Sequence, residues 1–389
     1  MSSQIVLPRI MEVGKGASLK VPQILQALNV HSPLIVTDKM MVKLGYVQTL
    51  EDSLKEAGIH AQTFSDTIPE PTASSIQAGV QMVRAGEFDS VIALGGGSPI
   101  DSAKAISVVG KFGGNIRDYK FPKDVNEAGL PIIAIPTTAG TGSENTRVSV
   151  ITDDVKGEKM MCQGLGLMPS AAIIDYALTT SLPPRVTADC GLDALTHAIE
   201  SYVSRKKNTF SSLQALNAME LIGKNLKTAY HEPDNEAARE AMMLGASLAG
   251  IAFSNASVGL VHGMSRPIGA FFHVPHGLSN AMLLPAITQY SIVGNENRYA
   301  QCAIALGFCD ANDDVSHACQ KLIDNLRSLT AELKVPTPKD YGINEKEYMA
   351  LLAIMAQQAQ DSGSPANNPR VPSIDEMVEL YKQVWDDQH

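Results

Sequence analysis

Cysteine is scarce and unpatterned: Cys162, Cys190, Cys302, Cys309 and Cys319 are five residues with no CxxC spacing. An odd, sparse set of this kind argues against a disulfide framework and fits reduced thiols in a cytoplasm. Long apolar runs are missing as well. No stretch is long enough to span a bilayer, and the first residues lack a charged-then-apolar leader, so a soluble, cytoplasmic protein is expected. Clusters of lysine and arginine are also missing, and the formal net charge is -10. Nucleic acid and anionic membranes are therefore excluded as expected partners. Charged residues make up only 19% against 44% hydrophobic, which excludes a disordered chain. With 389 residues the chain exceeds what one core usually supports, so two domains are expected.

Two nucleotide-binding signatures are also absent: there is no GxGxxG fingerprint and no Walker lysine. What the first half does contain is alternation. Apolar runs at Pro33–Asp38, Ala61–Phe64, Ser90–Leu94, Pro131–Pro136, Val148–Thr152 and Ala172–Asp175 read as strands. Helical spacing over Val21–Leu28, Met41–Ala57 and the segment up to Ala85 separates the first of them. Such alternation predicts a doubly wound, mostly parallel sheet. Pro8 in the opening extended segment suits an edge strand.

After the strand at 90–94 comes Gly95-Gly96-Gly97-Ser98-Pro99-Ile100-Asp101. Three glycines let the main chain turn tightly and approach a ligand. Ser98 as cap, Pro99 at the first position and Asp101 at the third predict a helix over 99–109. Its N-terminus would attract a pyrophosphate, although a tight turn without a ligand uses the same residues. Thr137-Thr138-Ala139-Gly140-Thr141-Gly142-Ser143-Glu144 offers hydroxyls for phosphate or ribose, or forms a solvated turn.

From Pro183-Pro184 onward the strand signals fade. Helical periodicity runs through Val186–Val203, Ser211–Tyr230, Glu236–Phe253, His317–Leu333 and Met349–Ala359, with breaks expected near Gly263 and Gly277 among others. The expected domains are residues 1–183, α/β, and residues 184–389, all-helical. The first of these helices carries GLDALTHAIE, in which Asp193 and His197 are four residues apart and share one face. They are either a hydrogen-bonded pair inside a packed helix or two ligands of a divalent metal. His262 in SVGLVHGM and His276 in FHVPHGLSN lie in small-residue surroundings that admit close approach. One carboxylate and three neutral imidazoles make a hard-to-borderline set suited to Fe(II), Zn(II) or a neighbouring first-row ion.

With both halves read, the sequence resembles the iron-dependent (group III) alcohol dehydrogenases, the family of lactaldehyde reductase and 1,3-propanediol dehydrogenase. LPRIMEVGKGA, LIVTDKM, ALGGGSPIDSAKA, IPTTAGTGSE, GLDALTHAIESY and VHGM…GAFFHVPHGLSNAML occur in family order along nearly the whole chain. The resemblance implies a Rossmann-like α/β domain followed by an all-α domain, the architecture shared with dehydroquinate synthase. It implies Asp193, His197, His262 and His276 as metal ligands and NAD as cofactor. It places Asp38 at the adenosine ribose hydroxyls, and Gly95, Gly96, Gly97 and Ser98 at the pyrophosphate. Asp101, Thr137, Thr138 and Lys159 are expected as further cofactor contacts. A carboxylate accepts from a 2′-hydroxyl but repels a 2′-phosphate, so Asp38 favours NAD over NADP. A homodimer or larger homo-oligomer is expected.

Two positions depart from the family pattern. Relatives carry a second histidine four residues after the one matching His262, and this chain has Arg266 there. Arginine stays protonated near neutral pH and cannot be an ordinary acid/base relay, which leaves His273 as the candidate. A guanidinium in that segment calls for an anionic partner, either an internal carboxylate or one on the substrate. Glu70 stands where many relatives have asparagine. The expected activity is reversible, metal-assisted hydride transfer between a short-chain alcohol, or aldehyde in reverse, and NAD. Its rivals are a dehydroquinate-synthase-like lyase, which needs a basic pocket for a phosphorylated sugar acid, and a non-catalytic metal-binding module.

Overall fold

The computed structural model describes residues 2–386, and the chain divides into two compact units. One is Val6–Ser181; the other begins at Leu182 and takes in the first few residues of the chain.

Eight strands occur in the first unit: Ile10–Val13 (β1), Pro33–Val36 (β2), Gln62–Phe64 (β3), Ser90–Gly95 (β4), Ile132–Pro136 (β5), Val148–Asp153 (β6), Glu158–Gln163 (β7) and Ala171–Ile174 (β8). Six of them form a parallel sheet in the order β1-β8-β5-β4-β2-β3. Both faces are buried, which follows from the continuous apolar runs. Leu34, Val36, Val91, Ala93 and Ala134 enter one core cluster. Their alternates Ile35, Ile92, Leu94, Ile133 and Ile135 enter the other.

Two expectations need correcting here. The run at 148–152 is not in the parallel sheet; β6 pairs antiparallel with β7 in a separate two-stranded sheet, Val148 opposite Gln163. The helical stretch 41–57 is two helices, Lys39–Lys43 and Tyr46–Glu56, parted at Gly45, whose φ of 79° few other residues tolerate.

In the second unit nine helices are described: Pro184–Val203, Thr209–His231, Glu236–Ser254, Leu260–Phe272, His276–Ser291, Glu296–Ala305, Val315–Glu332, Glu345–Asp361 and Ile374–Asp386. Asn208, Asn235, Asp314 and Asn344 cap four of them by accepting from first-turn N–H groups. Gly263 and Gly277, read from sequence as breaks, lie inside helices. A Cβ on Gly263 would stand 2.9 Å from the Pro365 ring, and one on Gly277 would stand 2.5 Å from the Asp189 carbonyl oxygen. These glycines serve close packing. No described helix is long and apolar enough to cross a membrane.

Candidate metal and cofactor sites

Three helices of the second unit converge on one polar cluster. Asp193 comes from Pro184–Val203, His262 from the first turn of Leu260–Phe272, and His276 begins His276–Ser291. One ligand atom from each lies within 4.8 Å of the others. Asp193 and His262 are almost fully buried, whereas the His276 side chain keeps 33% of its surface, so the cluster is open on that side. Burial alone would push the Asp193 carboxyl up; the surrounding imidazoles of His197, His276 and His262 hold it well below the usual carboxylate range.

The orientation of His262 is set from behind. Its Nδ1–H donates to Glu200 Oε2 at 2.7 Å, and the same carboxylate accepts from the backbone N–H groups of Gly259 (2.9 Å) and Val261 (2.6 Å). A carboxylate can only accept here, so the ring proton sits on Nδ1 and the Nε2 lone pair faces Asp193 and His276. Glu200 was not singled out from sequence. A signal was available: it is a charged residue three positions after His197 and seven after Asp193, on the same helix face in an apolar stretch.

The donor set fits a divalent cation. The Asn280 amide group donates to Asp193 Oδ1 at 2.7 Å and stands 3.1 Å from His262 Nε2 and 3.3 Å from His276 Nε2. Its own Oδ1 is buried without a hydrogen bond. A positive N–H edge is thus drawn to the Asp193 oxygen and the His262 Nε2 lone pair, with His276 Nε2 beside them, donor atoms that a hard-to-borderline metal would take. His197, expected as a fourth ligand, is adjacent but outside this trio. Its ring stacks on Phe253 (4.3 Å between centroids) and on His262 (4.4 Å), with Nδ1 3.9 Å from Asp193 Oδ1.

His273, the expected relay, lies at the far end of the helix that carries His262. It is exposed at the C-cap of Leu260–Phe272 with φ 55°, and its ring makes no hydrogen bond, ion pair or ring contact among the described residues. Arg266, one turn after His262, donates from Nη1 to Ser364 Oγ at 2.9 Å.

In the first unit the chain moves from β2 outward to β3, then back past β2 to β4 and on to β5. The sheet therefore has a switch point between β2 and β4, where α/β sheets bind ligands at strand carboxyl ends. Asp38 follows β2, and the triple glycine begins at Gly95, the last residue of β4. The helix after the glycines spans Gly97–Phe112, and its N-cap is Gly96, not Ser98. A Cβ on Gly95 would meet the Pro99 ring at 2.6 Å, and one on Gly97 would meet Thr141 at 2.8 Å. Glycine at 95 and 97 therefore lets Pro99 and Thr141 pack closely on a turn whose first-turn N–H groups have no intrahelical partner and are free to meet an anion. Thr137 Oγ1 is buried with no hydrogen-bond partner. This cradle fits a dinucleotide.

Asp38 Oδ1 caps the helix Lys39–Lys43 by accepting from Met40 and Met41 N–H; Oδ2 lies toward Gly95. Asp101, expected at the cofactor, is used internally. It accepts from Ser143 Oγ (2.7 Å) and from the Val150 N–H (2.9 Å) and neighbours the buried Lys104. Lys104 in turn donates to Ser143 O, Ser143 Oγ, Thr146 Oγ1 and Val148 O. The Lys159 ammonium is held by Glu70 at 2.5 Å, and the Glu70 N–H donates to Ser98 Oγ at 3.3 Å.

The same chain thus carries a cluster whose donors fit a divalent cation and a glycine-rich turn that fits a dinucleotide. Residues 8–176 match the family model "Iron-containing alcohol dehydrogenase", and residues 187–385 match "Fe-containing alcohol dehydrogenase family, C-terminal". The chain belongs to the iron-containing alcohol dehydrogenase family. It is 33% identical over 389 residues to lactaldehyde reductase of Escherichia coli, covering 99% of this chain and all of that one. A solved 1,3-propanediol oxidoreductase superposes with a TM-score of 0.94 at 32% identity, over 99% of this chain and 100% of that one. Sulfoacetaldehyde reductase of Bifidobacterium kashiwanohense, solved in complex with NAD+, gives 0.88 at 31% identity over the full length of both. Against the bifunctional aldehyde-alcohol dehydrogenase AdhE of Escherichia coli the identity is 36% over 90% of this chain, which spans only 43% of that protein.

Proposed function

We propose that this protein is an NAD-dependent, iron(II)-containing alcohol dehydrogenase working reversibly on a small primary alcohol and its aldehyde. The observation that carries the reading is the buried Asp193–His262–His276 trio backed by Glu200. Those three residues would hold the metal, and His197 beside them is the candidate fourth ligand. Bound iron supplies Lewis acidity toward the alcohol or aldehyde oxygen, and NAD supplies the hydride acceptor. The chain's own work is binding and orientation. Glu200 fixes the tautomer and tilt of His262, Asp193 contributes the one negative charge of the trio, and the open side at His276 admits a small substrate. In the other unit, Gly95–Gly97 and Ser98 would take the pyrophosphate, with Thr137, Thr138 and Asp38 as further contacts.

Nothing among the described residues favours the lyase alternative with its phosphorylated sugar acid. All five cysteines are free thiols, in keeping with a cytoplasmic protein. We read it also as a homodimer or larger homo-oligomer, which sedimentation of the purified protein checks.

The test is net NADH formation from a panel of short alcohols by protein freshly loaded with Fe(II), alongside elemental analysis. His262→Ala should lose most bound metal and nearly all turnover while keeping its fold. Full metal occupancy in that variant, or no turnover of any alcohol or aldehyde by the loaded wild type, sinks the reading.

A further inference from the structure

Arg266 occupies the helix Leu260–Phe272 one turn beyond His262, on the same face. Its environment is dry enough that burial presses the guanidinium below its ordinary pKa, against the pull of Glu200. A charge so placed ordinarily has a carboxylate against it. Among the described residues Arg266 has none: its recorded partner is the neutral hydroxyl of Ser364 at 2.9 Å. Glu200 is the negative group that acts on it, and that carboxylate is already committed to Gly259, Val261 and His262.

The side chain is nevertheless not sealed. Arg266 keeps partial exposure, and none of its nitrogens is among the buried atoms that lack partners. It is also held in place. Gly263 lets the Pro365 ring come within 2.9 Å of where a Cβ would stand, which seats the Ser364 turn on this helix face and directs one arm of the fork. A guanidinium has five N–H donors, and one is spent. The remainder form an oriented, accessible, poorly solvated fork that suits a planar or tetrahedral oxyanion.

We propose that Arg266 is the specificity-determining residue of the substrate pocket, and that the substrate carries a carboxylate or sulfonate on a short ω-hydroxyalkyl or ω-oxoalkyl chain. The proposal rests on the dehydrogenase reading above. His262 and Arg266 are one helical turn apart, a rise of about 5.4 Å between their backbones, so short chains are the ones to compare.

The test compares kcat/KM for 3-hydroxypropanoate, 4-hydroxybutanoate and 2-hydroxyethanesulfonate with 1-propanol, 1-butanol and ethanol, using iron-loaded protein and NAD. Propanoate, butanoate and ethanesulfonate, which cannot react, are titrated calorimetrically in parallel into wild type and variants. Wild type should favour an anion of one chain length by at least about tenfold. Arg266→Gln should lower the anion-to-neutral ratio by about ten- to a thousandfold, with a smaller loss on the neutral alcohol, and should abolish the calorimetric signal. Arg266→Lys, which keeps the charge without the fork, should retain part of both; thermal unfolding checks that each variant is folded. The carboxylate and sulfonate arms show which head group is preferred. The proposal is overturned if wild type prefers neutral alcohols, or if the anions bind wild type and Arg266→Gln alike. Absence of turnover on every substrate would instead strike the dehydrogenase reading, and the calorimetry would still decide on Arg266.

Discussion

Glu200→Gln separates a carboxylate that tunes a ligand from one that merely fills space. Oε1 accepts the Val261 N–H at 2.6 Å; Oε2 accepts the Gly259 N–H and the His262 Nδ1–H at 2.9 and 2.7 Å. An amide keeps one acceptor and turns the other into a donor. The arrangement that loses least keeps the oxygen toward Gly259 and His262 and sets the NH2 against Val261. One charge-assisted hydrogen bond is then lost and two donors face each other, at a cost of about 1.5–3 kcal/mol in stability. His262 meanwhile keeps its tautomer but loses the anion behind it, so its Nε2 becomes a weaker donor to a metal. Such partners typically change metal affinity by about 10- to 100-fold, or roughly 1.4–2.7 kcal/mol. The assay is chelator competition for Fe(II) or Zn(II) at fixed pH in wild type and Glu200→Gln, beside the thermal midpoint of each metal-free protein. A lower midpoint with metal affinity within about threefold of wild type would refute the tuning role and leave Glu200 a packing residue.

Three further outcomes follow from the first unit and from the thiols. Asp38→Asn keeps an oxygen to cap Lys39–Lys43 while removing the charge, so it should raise kcat/KM with NADP relative to NAD without loss of stability; an unchanged cofactor ratio excludes Asp38 from the ribose. Lys104→Met strands the buried Asp101 carboxylate and should destabilise the protein by about 3–5 kcal/mol in urea unfolding, with Asp101→Asn recovering part of it; additivity of the two changes would show that they do not interact. Burial pushes the Cys162 thiol up to about 12, so at pH 8 only about one molecule in ten thousand is thiolate there. At that pH a thiol reagent should modify no more than the half-buried Cys190 and Cys309 in the native protein and all five after unfolding; rapid native labelling of Cys162, Cys302 or Cys319 would contradict this.

What could be read from the chain alone was whatever local spacing encodes. Asp193, His262 and His276 stand out because their residue types and glycine-bearing surroundings are written within a few positions of each. The parallel sheet is legible because strands buried on both faces are short apolar runs. Features set by distant backbone were not legible. Glu200 lies inside the GLDALTHAIE motif, yet its meaning comes from N–H groups at Gly259 and Val261, about sixty residues on. Gly263 and Gly277 read as helix breaks because a one-dimensional pattern cannot show that Pro365 or Asp189 presses on them. Ser98 has the chemistry of a cap, but the helix begins at Gly97 with Gly96 as its N-cap, and Ser98 Oγ accepts from the Glu70 N–H instead.

The composition of the cluster itself argues that function maintains it. Around Asp193 the helix offers Leu192, Ala194, Leu195, Ala198 and Ile199, all buried, and an apolar residue at 193 would continue that core. Instead Asp193, His197, Glu200, His262 and Asn280 are buried together, each needing partners that the others must supply. Within the cluster the accounting does not close: the Asn280 oxygen is left without a hydrogen bond while its two N–H groups face Asp193 Oδ1, His262 Nε2 and His276 Nε2. A core selected for stability alone would not retain such an arrangement, since a half-satisfied polar network is worse than an apolar one. A cation shared by Asp193, His262 and His276 changes that balance, because it takes up the converging lone pairs and frees the Asn280 amide to turn. The local conflict and the proposed metal site are therefore one observation, and metal binding should raise the unfolding temperature of wild type but not of His262→Ala.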